Sequence, residues 1–306
     1  MLERAHRGFL FNGSVEAADG TIAIHDTLPI TITQIGVCLV SYHGAQGSYV
    51  HRIFRKDFQP RGGDPVKEVL ELLDRRQMRG AIGNDDEGDV FSSLFTRGIM
   101  AYAERAFLLD RSEANWRMGH GNPTPYELLT GFWAHEPVMV DAALDLMSRL
   151  VLDHRRFVYV PSAPRKRELL TLGYALKPLE YLILVTTEED LLHMVETGGY
   201  RGYARPKVEK FAHEVGSKIV VGLYRVSEAA PPYLFYAHRD FAHEAALIAM
   251  ADSIIQLHRG FPTLIDLADM ICKTTFGAND FLSSVRLAYG QTQKPFAYLG
   301  ERETRS

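Results

Sequence analysis

Between Val15 and Phe54 the chain holds runs rich in β-branched and aromatic residues, at Ile22–Ile24, Ile32–Tyr42 and Ser48–Phe54, with only turn-forming pieces between them. Asp19-Gly20, Pro29, Gly44 and Gly47 supply the punctuation. Such side chains suit a pleated, half-buried surface, and connections this short join neighbouring strands that run in opposite directions. The segment therefore reads as an antiparallel meander.

Helices follow. Gly62-Gly63-Asp64-Pro65 supplies a loop, an N-cap and a proline suited to a first helical turn, which predicts a helix to about Arg79. Apolar spacing predicts further helices over about Val90–Leu109, from Thr124 onward and over Val138–Leu152, with Asp110–Pro123 as a loop. Phe157–Val160 reads as a buried strand, followed by a short helix near Lys166–Leu172, a strand at Tyr181–Val185 and a helix after Thr187. Ile219–Val226 and Tyr233–Ala237 flank Pro231-Pro232 as a hairpin, and helices at Phe241–His258, Pro262–Thr275 and Ala278–Tyr289 close the chain. A mixed α/β fold follows: one domain over 1–299 with a helical insertion at about 64–152, then a charged tail over 300–306.

With a formal net charge of -4 the chain is no polycation, so phosphate binding would need a local basic surface. Cys38 and Cys272, both in apolar runs, form neither a disulfide framework nor a zinc set and read as buried thiols of a reducing compartment. The first eleven residues lack the apolar run of a signal peptide, and no stretch reaches the roughly 18 apolar residues of a membrane span, so a cytoplasmic location with no membrane contact is expected. A phosphate-binding Gly-x-x-x-x-Gly-Lys-Ser/Thr loop and a Gly-x-Ser-x-Gly elbow are both missing from the sequence, which argues against an ATPase or a serine hydrolase.

Ala18-Asp19-Gly20-Thr21 at the head of the meander resembles the Asp-Gly-Ser motif of the NurA nuclease family. Gly260-Phe261-Pro262-Thr263-Leu264-Ile265-Asp266-Leu267-Ala268-Asp269 resembles that family's closing Gly-Tyr-Pro helix motif, and the order of elements between the two is also similar. The resemblance implies an RNase H-like (PIWI-like) mixed sheet flanked by helices and DNA cleavage dependent on Mn2+ or Mg2+. It further implies a homodimer and a HerA-type ATPase partner in DNA end processing, repair or defence.

Phosphodiester hydrolysis is helped by cations that activate water and stabilise the leaving oxygen, and hard cations prefer carboxylate oxygens. Asp19 is the first candidate ligand; the competing reading makes Asp19-Gly20 a hairpin turn. Glu104 matches the family's helix glutamate. However, Phe91, Leu94, Phe95, Tyr102 and Ala106 gather on one helical face and leave Glu104 opposite, beside Arg97, as a solvated acid. Glu127 is an alternative, although Thr124-x-x-Glu127 also reads as a capping box. Asp269 borders the stripe of Leu264, Ile265, Ala268, Ile271 and Cys272, where the family commonly carries a histidine; an i,i+4 pair with Lys273 is the competing role. Asp266 falls farther out.

The family also leads one to expect an Asp-Gly pair after the middle strand, where this chain has Pro161-Ser162. Asp240 is a candidate substitute but reads better as an N-cap; His120 and Asn122, in the loop before Thr124, could line a site, although a lone loop histidine is more often a surface residue. The missing acid gives a second functional reading, a catalytically silent DNA-binding or ATPase-capping subunit. Basic groups offer a path for a nucleic-acid backbone or, alternatively, solvated faces: Arg52, Arg55, Lys56 and Arg61; Arg155, Arg156, Arg165, Lys166 and Arg167; and Arg201, Arg205, Lys207 and Lys210, interleaved with Tyr200 and Tyr203.

Overall fold

A computed structural model describes residues 2–26, 30–56, 63–79, 93–130, 137–162, 167–198 and 202–291. Its strands are β1 (Val15–Asp26), β2 (Ile30–Ser41), β3 (Gly44–Lys56), β4 (Trp116–His120), β5 (Phe157–Val160), β6 (Glu180–Thr186), β7 (Ile219–Arg225) and β8 (Tyr233–His238). Its α-helices are α1 (Leu2–Ala5), α2 (Pro65–Arg79), α3 (Ser93–Arg111), α4 (Tyr126–Leu129), α5 (Pro137–Ser148), α6 (Arg167–Gly173), α7 (Glu188–Thr197), α8 (Arg205–Glu214), α9 (Ala242–Ser253), α10 (Thr263–Phe276) and α11 (Ala278–Gln291). The expected start of a helix at Val90, Arg61, Arg165, Lys166, Tyr200, Arg201 and the charged tail lie outside the described residues.

One sheet carries the molecule, in the order β3-β2-β1-β4-β5-β8-β7-β6. The meander forms as its sequence directs: β1 pairs with β2 and β2 with β3, both antiparallel. Next, β4 joins β1 in parallel and β5 joins β4 in parallel, and β8, β7 and β6 extend the sheet antiparallel. This is the mixed α/β, RNase H-like arrangement that the resemblance implies.

Helices cover both faces. Side chains of successive strand residues point to opposite faces, so Val15, Ala17 and Asp19 share a face with α9 and α10, while Ala18 and Gly20 share the other with α3. The second core layer continues through α4, α5, α7 and α8. Among the described residues, no helix is long and apolar enough to cross a membrane.

Three local expectations hold. Asp64 caps α2, its carboxylate accepting from the Val66 amide at 3.0 Å, with Pro65 in the first turn. Pro231-Pro232 joins β7 to β8, and both cysteines are buried and free. Two others fail. Asp19-Gly20 is no turn: both residues sit inside β1, opposite Cys38 and Val37 of β2. Residues 116–120, expected in a loop, form β4 at the centre of the sheet. Arg117 interrupts the apolar run there, and its burial is made tolerable by backbone carbonyls and by Glu16, its register partner on β1.

Candidate active site

β1 runs on well past its pairing with β4. The parallel ladder ends at Ala18↔Gly119, and β5 stops with Val160 beside His120. The carboxyl ends of β4 and β5 therefore leave a notch along β1, where groups from both faces of the sheet can meet.

Asp19 stands at that notch. It is buried, held by pairing with β2 on one side and open to the notch on the other, and one of its oxygens accepts from the Gly20 amide at 2.9 Å. His120, the last residue of β4, turns its Nδ1 to Asp19 at 3.5 Å, while its Nε2 lies 2.9 Å from the Ser162 hydroxyl. The Phe261 ring packs edge-on against His120 at 5.9 Å. Phe261 belongs to the Gly-Phe-Pro turn in which Gly260 takes φ 68°, a left-handed conformation that favours glycine. That turn leads into α10, and so helps to fix the imidazole.

Glu104 arrives from the opposite face. A Cβ built on Gly20 would lie 2.6 Å from Glu104 Oε1, so the glycine makes room for the carboxylate. The expectation that Glu104 is solvated is overturned. The buried side of α3 is centred on Ala101, Arg105 and Leu108, which brings Glu104 to the edge of the inward face. Arg105 draws the helix round: it is buried, its Nη1 donates to Ala101 O at 2.7 Å, its Nε to Pro123 O at 3.0 Å and its Nη2 to Asn122 O.

Burial and the nearby Asp19 charge push the Glu104 pKa up to about 7, against the opposing influence of Arg105, His120 and the Gly20 amide. Burial disfavours a charged His120, yet its hydrogen bond and attraction to Asp19, together with Glu104 and Asp269, raise its pKa above the usual imidazole value. The notch is thus a small acidic centre holding one imidazole.

The remaining candidates divide. Asp269 stands at the rim, about one-third exposed and bound to Lys273 at 2.7 Å, so the i,i+4 pair forms. Asp266 is the more buried of the two, contrary to its expected outer place. Burial raises its pKa, Arg259 at 2.7 Å opposes that rise, and Asp269, His120 and Asp19 all act on it. Glu127 forms no capping box. Thr124 bonds to Asn122 instead, α4 has no side-chain cap, and Glu127 pairs with Arg97 at 3.6 Å. Asp240 lies beyond the amino end of β5, away from the notch, and pairs with Arg155; it is no N-cap, because the His238 ring accepts from the Asp240 amide. Ser162 occupies the strand end where a carboxylate was expected. Arg205 pairs with Glu209 at 3.1 Å and Lys207 with Asp141, so that basic group is partly neutralised, and the side chain of Arg167 lies outside the described residues.

His120, which the sequence offered as a possible site-lining residue but weighed as a surface histidine of a loop, ends a central strand beside Asp19. Its signal lay in Gly119-His120-Gly121, since Gly119 admits the Tyr159 ring and Gly121 takes φ 84° as the chain leaves the sheet.

Among the described residues, no group of three or more His, Cys, Asp or Glu is arranged to hold a metal ion. The donor chemistry nonetheless fits a hard divalent cation: the buried Asp19 carboxylate and the largely enclosed Glu104 carboxylate repel each other, and a cation bound near both would relieve that repulsion.

No protein-family model and no curated protein matches the chain. Among solved structures it is similar to the NurA nuclease from Sulfolobus solfataricus, at 13% identity over 94% of this chain and 86% of that one, with a TM-score of 0.49. It is similar to NurA with manganese at 8% identity over 83% and 84%, with a TM-score of 0.47. An Endonuclease V from Bacillus subtilis is similar at 10% identity over 90% and 83%, with a TM-score of 0.33. Identities this low transfer no residue's role, and the site stands on its own geometry.

Proposed function

We propose that the protein is a divalent-metal-dependent DNA nuclease of the NurA type that hydrolyses phosphodiester bonds in the cytoplasm. The observation that carries this reading is the approach of the buried Asp19 and the largely enclosed Glu104, acids from opposite faces of the sheet, in the notch beyond β4. Asp19 and Glu104 would hold Mn2+ or Mg2+, with Asp269 at the rim, and the bound ion would supply Lewis-acid stabilisation of the phosphate and an activated water. Asp19 is positioned by strand pairing and the Gly20 amide, and Glu104 by the same glycine. His120 keeps a polar hydrogen-bonding edge between Asp19 and Ser162. Arg165, Lys166, Arg167, Arg201 and Arg205 are proposed to steer the strand, and a second copy and a HerA-type ATPase are the proposed partners.

Ser162 favours a second reading, a silent NurA-like subunit that binds DNA or caps an ATPase ring, because a hydroxyl cannot replace a carboxylate as an anchor for a hard ion. Purified protein incubated with single- and double-stranded DNA, with and without Mn2+, separates the two. Cleavage that requires the metal supports the nuclease; salt-sensitive binding with no cleavage in any divalent ion supports the silent subunit.

A further inference from the structure

At the amino ends of β4 and β5, the end of the sheet away from the acids, a recess of about 440 Å3 opens between Arg117, Asn115, His154, Arg155, Arg156 and Phe241. Its size lies within the range of small-molecule sites. Three consecutive steps along β4 separate Arg117 from His120, roughly 10 Å at strand spacing, so the recess is distinct from the notch.

The recess is built around cations. Arg117 is buried and fixed: its Nη2 donates to Ser112 O at 2.6 Å, its Nη1 to Ala114 O, and its buried Nε has no acceptor. The guanidinium groups of Arg155 and Arg156 stand over the Phe241 ring at 5.4 and 5.3 Å. Holding two like charges on one ring is unfavourable without an anion to share. Asp240 meets only Arg155 among them, and Glu16 faces Arg117 from β1.

The backbone is also set for this arrangement. Arg155 takes φ 65°, a left-handed conformation disfavoured for a residue with a Cβ, and its amide is tied to Leu150 O at 3.0 Å. That conformation closes the helical turn over Arg149–His154 and leaves the Arg155 side chain at the recess. Beside it, His154 places Nε2 3.1 Å from Arg156 O. Burial, then the charges of Arg117 and Arg156, push the pKa of His154 down to about 4, which leaves the ring neutral and marks the recess as cationic.

We infer that this recess binds a terminal phosphate group, either free phosphate or the phosphate of a nucleotide. Guanidinium groups match tetrahedral oxyanions through paired N–H donors, and here they approach from the strand on one side and the Phe241 platform on the other. Arg117, held by two backbone carbonyls, gives the recess a fixed positive wall. The inference does not depend on the nuclease reading.

Calorimetric titration of the full chain with inorganic phosphate, adenosine 5′-monophosphate and adenosine tests it. Saturable binding of the first two but not of adenosine is expected, with Arg156→Ala, at the exposed rim, weakening both at least about tenfold. Equal affinity for phosphate and the monophosphate identifies free phosphate as the source; tighter monophosphate binding identifies a nucleotide. Because Arg117→Met removes a buried structural group, the second measurement is the His154 ring resonances in unmodified protein, which shift on phosphate addition. Absence of saturable heat and of that shift, binding unchanged in Arg156→Ala, or adenosine binding as well as its monophosphate would each overturn the proposal.

Discussion

Two buried acids in this molecule, Glu104 and Asp252, are both pushed up to about 7 chiefly by burial, yet they sit in opposite circumstances. Asp252, on α9, is fully enclosed and fully employed. It accepts from the Tyr42 hydroxyl and, at 2.8 Å, from the amide of Leu264 at the start of α10. It is a helix cap delivered from another helix. For Glu104 the charge of Asp19 is instead the largest cause after burial, whereas at Asp252 the acidic neighbour Asp266 comes only after the two hydrogen bonds. A perturbed acid alone therefore says little; a perturbed acid whose shift is set next by an acidic neighbour, and not by hydrogen bonds, is what marks a site.

The largest effect expected separates the two on activity. Asp19→Asn keeps an oxygen for the Gly20 amide but removes the charge, and is expected to cut Mn2+-dependent DNA cleavage at least about 100-fold, since a lost metal contact forfeits several kcal/mol of transition-state stabilisation. Asp252→Asn should stay within about twofold of the parent in the same assay. Equal loss in both would erase the distinction between cap and site.

On stability the order reverses. Asp252→Ala strands the Tyr42 hydroxyl and the Leu264 amide in a dry interior and is expected to cost about 4 kcal/mol, read from urea unfolding. Glu104→Ala, which removes an acid already repelled by its neighbour, should cost less. A smaller loss at Asp252 than at Glu104 would show that the cap is not what anchors α10.

The pH dependence sharpens the contrast. The folded pKa of Glu104, about 7, lies above its ordinary 4.5, so the folded state holds the proton more tightly than the unfolded chain does. That contribution is fully present below pH 4.5 and is lost as pH rises through 7. In metal-free protein Glu104→Gln should therefore match the parent at acid pH and exceed it by up to about 3 kcal/mol at pH 8. Mn2+ should narrow that gap by occupying the acidic pair in the parent, and Asp252→Asn, which keeps the pair, should gain as much from Mn2+ in thermal unfolding as the parent does. A gap at pH 8 that ignores Mn2+ would count against the cation reading.

Much of this frame was legible in the chain. The meander follows from its β-branched runs, although Asp19-Gly20, which reads as a break in them, lies inside its first strand. What stayed hidden depended on partners distant in sequence. β4 was obscured because Arg117 looks like a loop residue until Glu16 and two backbone carbonyls are placed beside it. The facing of Glu104 was misjudged because its neighbour Arg105, hydrophilic by composition, is buried through bonds to the 122–123 backbone. The cap on α10 escaped notice because its carboxylate lies twelve positions upstream of the amide it serves. In each case a charged residue was buried by contacts that no local pattern encodes.

Asp269 tests where the site ends. Its carboxylate is held by Lys273 in an exposed i,i+4 pair, which is worth at most about 0.5 kcal/mol. Asp269→Asn should therefore leave stability almost unchanged. Its effect on cleavage should fall between those of the two acids above, at about tenfold, because it adds negative potential around His120 without facing Asp19 as Glu104 does. A loss as deep as that of Asp19→Asn would mean that Asp269 leaves Lys273 and joins the buried pair when the ion binds. In that case Lys273→Met should raise Mn2+ affinity by freeing the acid; if Asp269 stays at the rim, the same substitution should leave affinity unchanged.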